Sequence, residues 1–309
     1  MVLERMKEFG YVPNPHAQQL VTGRGKMVML HAADVEVEFM FQMARGIQNT
    51  LAAQGYGLLL DTMSGLDQDE SLLHDWIASG AVDGTIVITG APDAGDRVAK
   101  LLNPRTPVVA VGYPSLDPAP RAGSVIWNLT TGANQVADML ADFGHRRIGF
   151  IDIGRSDPVI EAFRNRLGTH GVALDPDLVV VAQGLFDPEY GAGAMKDLLA
   201  KPSPPTAVFV RNDVLAIGAL REAKRAGLRV PDDISIVGHD DVPLARYTDP
   251  QLTTVRVDCF EMGRISAEMI FNLLDHRDVV LLPQTVDCTS LVMRETAGPV
   301  KSPSRRQSG

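Results

Sequence analysis

Cysteine is nearly absent: Cys259 and Cys288 are the only two in 309 residues. They follow no metal-ligand or redox spacing, which excludes a disulfide scaffold and leaves two buried free thiols as the expectation. Aromatic residues are scarce too, at 6%, yet hydrophobic residues make up 45% and charged ones 22%. That balance excludes a mainly disordered chain and supplies enough apolar surface for a core. No apolar run approaches the roughly 18 residues that a membrane span needs. The amino-terminal stretch Met1 to Gly10 lacks the long apolar segment and small-residue cleavage site of a secretory signal, which places the protein in the cytoplasm. Excess positive charge is missing as well: 29 basic residues face 38 acidic ones, for a net charge of −9. Nothing global therefore attracts the chain to nucleic acid, and any DNA contact must be local. The one basic, polar cluster at an end, Lys301 to Gly309, reads as a disordered tail.

Enzyme signatures are also lacking. There is no Gly-x-Gly-x-x-Gly, phosphate loop or Gly-x-Ser-x-Gly elbow, and no His/Cys/Asp cluster at metal spacing. No catalytic residue, metal or cofactor is assigned. The seven histidines are scattered, and His145 and His239 read as structural or ligand-lining.

What is present is a rhythm. From Lys26 onward, short β-branched runs alternate with stretches of helical period, the signature of parallel βαβ units. The first half predicts strands at Met27–His31, Gly57–Asp61, Gly84–Thr89 and Pro107–Val111. Helices are predicted at Phe41–Gln54, about 67–79 and about 95–102, the first ended by Gly55. A Pro/Gly-rich loop, Gly112 to Gly123, separates this half from a second set. There the helices are Thr130–Phe143, Pro158–His170, Pro188–Ala200 and Val214–Ala226, and the strands Arg147–Ile151, Leu178–Val181, Ala207–Val210 and Ile234–Gly238. A helix over Phe260–Leu274 and strand-like segments around Val279 and Ser290–Met293 suggest that the chain crosses back. At 309 residues, the expectation is an α/β protein of two doubly wound parallel-sheet lobes with a cleft between them. The lobes are 26–126, completed by about 258–286, and 127–257, completed by about 287–298. Residues 1–25 precede them and 299–309 form the tail.

Several stretches carry a resemblance. Tyr11-Val-Pro-Asn-Pro-His-Ala-Gln-Gln-Leu20, Gly144-His-Arg-Arg-Ile-Gly-Phe-Ile151, Gly227-Leu-Arg-Val-Pro-Asp-Asp-Ile-Ser-Ile-Val-Gly-His-Asp-Asp241, Leu252-Thr-Thr-Val255 and Leu291-Val-Met-Arg-Glu-Thr296 resemble LacI/GalR-type bacterial transcription repressors, in that family's order across almost the whole chain. The resemblance implies a periplasmic-binding-protein-like core that binds a small effector, a sugar or related metabolite, and forms a homodimer. It also implies a hinge helix. Asn14 is a good N-cap, Pro15 suits the first helical position, and Ala17 and Leu20 share one face. A helix this short is marginal alone. In the family two such helices fold together in the DNA minor groove, where the leucine at the place of Leu20 wedges between base steps. Residues 2–10 resemble the last helix of the family's helix-turn-helix headpiece, and its two DNA-reading helices are not in this sequence. The expectation is that the chain as written binds effector and dimerises but holds operator DNA weakly.

Effector residues are sought just after strands, because α/β sheets bind ligands at the carboxyl ends of their strands. Asp240 matches the family's effector-contacting aspartate and can accept two hydroxyl bonds. Asn212 matches a ligand-contacting asparagine, with helix capping as the other reading, and Asp213 is assigned as the cap. Phe186 and Phe39, the latter placed on the loop after the first strand, match cleft aromatics that could equally be core. The family's arginine four residues before Phe163 is Val159 here, and Arg211 is the candidate to compensate. An exported sugar-binding receptor shares this fold. It would need a signal peptide and would have no use for the hinge, so a cytoplasmic repressor without membrane contact is the preferred reading.

Overall fold

A computed structural model describes residues 23–32, 37–61, 76–77, 79–89, 106–112, 120–154, 158–184, 187–276 and 278–301. The hinge residues Asn14, Ala17 and Leu20, the cleft candidate Phe186 and most of the helices expected near 67–79 and 95–102 lie outside the described residues. The chain divides into two compact units, one running to Ile126 and completed by Phe260–Thr285, the other Trp127–Cys259 completed from Val286 onward.

The first unit carries strands β1 (Met27–His31), β2 (Gly57–Asp61), β3 (Gly84–Thr89), β4 (Val108–Gly112), β5 (Ala122–Trp127) and β11 (Gln284–Val286). Their order is β11-β5-β4-β3-β1-β2, and the pairs from β2 through β5 are parallel. Val28, Leu30 and all of Val108–Val111 are at most 2% exposed, as parallel strands covered on both faces require. Helix α1 (Val37–Ala53) starts four residues before the expected Phe41, so Phe39 sits in its first turn and not on a loop. The helix stops at Gly55, whose φ of +72° suits a residue without a Cβ.

The second unit repeats the plan. Strands β6 (Ile148–Asp152), β7 (Val179–Val181), β8 (Ala207–Val210), β9 (Ser235–Asp240), β10 (Thr253–Val257) and β12 (Thr289–Val292) lie in the order β12-β10-β9-β8-β6-β7. Only β12 runs antiparallel to its neighbour. Helices α2 (Thr130–Asp142), α3 (Val159–Thr169), α4 (Pro188–Leu199) and α5 (Asp213–Arg225) connect them, and α6 (Cys259–Asp275) follows β10. Phe150, Phe163 and Phe209 are fully buried and stack around one another at centroid separations of 5.0–5.8 Å. Both cysteines are buried and free, and burial pushes the Cys288 thiol up to about 12.

Three strands differ from the sequence reading. β5 falls partly in the expected 112–123 loop, because Gly123 and Ser124 have little strand propensity of their own. Tertiary packing decides the matter: a Cβ on Gly123 would lie 2.5 Å from Met269 Sδ of α6. β10 begins at Thr253 of the Leu252-Thr-Thr-Val255 motif, and both threonine hydroxyls have partners. Thr253 N donates to Thr296 Oγ1 at 2.8 Å and Thr253 Oγ1 accepts from Arg294 N at 3.0 Å. The strand expected near Val279 is instead at Gln284–Val286. Residues 299–301, assigned to the tail, are held: Val300 N donates to the Phe143 carbonyl at 2.9 Å, and Lys301 pairs with Asp232.

Helices α4 and α5 meet backbone to backbone. A Cβ on Gly191 would fall 2.0 Å from the Leu215 carbonyl oxygen, and one on Gly218 1.7 Å from that of Pro188, whereas one on Gly193 meets nothing within 4 Å. Gly191→Ala should therefore cost about 3 kcal/mol through overpacking, while Gly193→Ala should be neutral or stabilise by up to about 1 kcal/mol. Urea unfolding of the two variants checks this, and equal midpoints would contradict it.

His145 ties the carboxyl-terminal strap to this unit. Its Nε2 donates to the Gly298 carbonyl at 3.0 Å and its Nδ1 takes the Thr206 hydroxyl at 2.9 Å. Burial, which the Gly298 bond only partly offsets, holds its pKa below the usual 6.5. The unfolded chain thus takes up the proton first as pH falls, so this histidine's contribution is intact above 6.5 and lost below it. Stability should decline on acidification through that point, and His145→Gln should flatten the decline in a pH series of urea melts. An unchanged slope would contradict the assignment.

Candidate functional site

The order of the second sheet reverses at β6, which has β7 on one side and β8 on the other. Open α/β sheets bind ligands outside the carboxyl ends of strands at such a switch point. At that end lie Asp152, the last residue of β6, Arg211 and Asn212 just after β8, and His239 and Asp240 at the end of β9. Asp240 terminates its strand, which runs two residues beyond the expected Gly238.

Asn212 is the cap of α5. Its backbone is extended (φ −150°, ψ 162°) and its Oδ1 accepts the Leu215 N–H at 2.8 Å. The cap assigned to Asp213 is thereby corrected: Asp213 is the first helical residue, and its side chain turns inward. It is fully buried. Oδ1 accepts the Thr254 hydroxyl of β10 at 2.5 Å, and Oδ2 accepts the Val242 N–H of the turn after β9 at 2.9 Å. One carboxylate thus joins α5, the β9 turn and β10. Burial, with the charge of Asp240 adding to it, pushes the acid well above its ordinary range. Only glycine at 238 leaves it room, since a Cβ there would stand 2.1 Å from Asp213 Oδ1.

The turn so fixed is strained. Asp240 and Asp241 both have positive φ, 109° and 56°, conformations that cost about 1–3 kcal/mol each in side-chain-bearing residues. The two carboxylates then part company. Asp241 is almost wholly covered and is neutralised by arginines: Arg256 Nε at 2.8 Å, Arg246 at 3.8 Å and Arg294 in close contact. Asp240 keeps 15% of its side chain exposed and, among the described residues, takes one bond, from His239 Nδ1 at 2.8 Å. Arg211 Nη1 lies 3.3 Å from the same nitrogen. A guanidinium only donates, and so does a protonated Nδ1. The shorter, charge-assisted contact is therefore the hydrogen bond, with the Nδ1 N–H donating to the Asp240 carboxylate.

The edge of the second sheet therefore brings Asp240, Asn212 and Arg211 together, with His239 beneath them. Phe39 belongs to the first unit, half-buried in α1. Val159, at the place of the family arginine, is fully buried at the start of α3. Sequence reasoning missed the inward turn of Asp213 and the arginines around Asp241. Gly238 next to two acids was the one local signal, and it reports only that something must pass close to that backbone.

These features define a two-unit α/β core of the periplasmic binding protein type. Residues 137–297 match the family model of the periplasmic binding protein-like domain. The chain is 30% identical over 295 residues to the HTH-type transcriptional repressor CytR of Escherichia coli (strain K12), covering 94% of this chain and 85% of that protein. It is similar in structure to a LacI family transcriptional regulator from Mycobacterium smegmatis, with TM-score 0.75, 28% identity and coverage of 89% and 100%. A transcriptional regulator CelR–cellobiose complex aligns with TM-score 0.77 and 26% identity over 96% and 89% of the two chains. The chain belongs to the LacI family of transcriptional regulators.

If Asp213 acts through the β9 turn, Gly238→Ala should be destabilising mainly because it evicts that carboxylate. In a double-mutant cycle the penalty of Gly238→Ala should shrink by about 1 kcal/mol or more in an Asp213→Ala background. Strict additivity in urea melts would contradict the link.

Proposed function

We propose that the chain is an effector-responsive repressor whose core binds a sugar or related small metabolite and dimerises, and that its amino-terminal segment engages operator DNA through the hinge residues Asn14, Ala17 and Leu20. Asp240 is the principal effector contact. Asn212 and Arg211 flank it on the same sheet edge, and Phe39 and Phe186 offer apolar faces for a ring. The observation that carries this reading is the divided fate of the two aspartates. Asp241 is consumed by three arginines, while Asp240, held in a strained conformation at the switch-point edge, keeps acceptor capacity for ligand hydroxyls. The cellobiose bound by the CelR regulator supports a sugar as the effector class. The relatives' repressor names support the DNA-regulating role over that of an exported receptor.

Pairing has its own support. The turn after β9 leaves Leu244 57% and Tyr247 82% exposed, an apolar pair that a solvated monomer gains nothing by displaying. Light scattering at micromolar concentration should give about twice the 33.4 kDa chain mass, and Tyr247→Asp should weaken the association. A wild-type value of one chain would contradict dimerisation.

The effector itself is tested by a thermal-shift screen of sugars, nucleosides and nucleobases. A ligand at 100 times its dissociation constant adds about 2.7 kcal/mol of stability. Asp240→Ala should cut the affinity of any hit tenfold or more, and unchanged affinity would remove Asp240 from the site.

A further inference from the structure

A second candidate contact lies in the first unit, at a place the family resemblance did not mark. β1 is the switch strand of its sheet, flanked by β2 and β3, and His31 is its last residue. The register sets His31 directly beside Asp61, the last residue of β2. Their side chains meet, with His31 Nδ1 2.7 Å from Asp61 Oδ2. His31 is only 3% exposed. A carboxylate can only accept, so the proton of a neutral imidazole is held on Nδ1 and Nε2 is left with a lone pair. That Nε2 is buried and has no hydrogen-bond partner among the described residues. Buried polar atoms are rarely left so, because the loss of solvation goes uncompensated.

We propose that His31 is an effector-contacting residue: its Nε2 accepts a hydrogen bond from a hydroxyl or N–H group of a neutral, polyhydroxylated ligand, with Asp61 fixing the imidazole tautomer. The proposal rests on the effector-binding reading above and sharpens it to a ligand class. An acceptor backed by a carboxylate selects for donors and repels anions. A free sugar or nucleoside meets that demand where a carboxylated or phosphorylated metabolite does not. In the same unit, half-buried Phe39 opens α1 and supplies an apolar face of the kind a sugar ring packs on.

The test uses the full chain with D-ribose, cellobiose and uridine as probes, and glucose 6-phosphate as the anionic control. Calorimetric titration should find at least one neutral probe that binds and no binding of the phosphate. His31→Phe, which keeps the ring shape and removes the acceptor, should weaken that probe at least tenfold. His31→Gln, which restores an acceptor near the Nε2 position, should recover part of the loss. Nitrogen NMR of the histidine rings gives a readout that needs no variant: the His31 Nε2 resonance should move upfield when the probe saturates. If His31→Phe binds as wild type while Asp240→Ala is weakened, or if the Nε2 signal does not move, the His31 assignment falls and the effector reading stands. If no neutral probe binds at 10 mM ligand, on the order of the weakest small-sugar affinities, both fall together.

Discussion

A single buried carboxylate organises the carboxyl-terminal edge of the second unit's sheet. Asp213 receives the Val242 amide and the Thr254 hydroxyl, which belong to segments far apart in the chain, and it can do so only because residue 238 has no side chain. An acid in that position is costly, since burial and the neighbouring Asp240 both oppose its charge. Its two hydrogen bonds offset that cost by holding a turn that would otherwise relax. Asp240 and Asp241 could leave their positive φ values if Val242 were free to move. The strain at the candidate effector contact and the buried acid beneath it are therefore one feature, with stability given up locally to hold Asp240 in place.

The start of the described chain, just before β1, is anchored by similar means. Asp83 accepts the Gly25 and Lys26 amides at 2.9 and 2.8 Å, and Arg24 reaches the end of α6 at Leu274 and Asp275. Helix α6 in turn lies backbone to backbone on α1, where a Cβ on Gly46 would stand 2.0 Å from the Phe260 carbonyl oxygen. A carboxylate again fixes backbone amides at the start of a segment that must be held in register.

Much of the fold was legible in the residues because parallel strands covered on both faces read as short, continuous apolar runs, and the crossover helices carry a 3.6-residue period. β8 and β1 were placed to the residue. β5 and β10 were not, since Ala-Gly-Ser and Thr-Thr become strand through contacts with α6 and through side-chain bonds to the 294–296 segment. The site was legible only in part. The places of Asp240, Asn212 and Arg211 at the carboxyl ends of strands were readable from the sequence. The assignment of the α5 cap to Asp213 went wrong because either of two adjacent residues can cap a helix on local grounds, and only the distant Thr254 and Val242 decide which one turns inward. The His31–Asp61 pair was invisible for the same reason: thirty residues separate partners that strand register alone brings together.

The Asp213 carboxylate locks the β9 turn and so holds Asp240 in place. Hydrogen exchange at the Val242 amide measures that lock most directly. Although it sits in an irregular turn, this amide should exchange as slowly as those of β8 and β9, opening only with the unit as a whole, and Asp213→Ala should release it to loop-like rates. Fast exchange of Val242 in the wild-type protein would mean that the turn is not locked, and that Asp240 is positioned by something other than the buried acid.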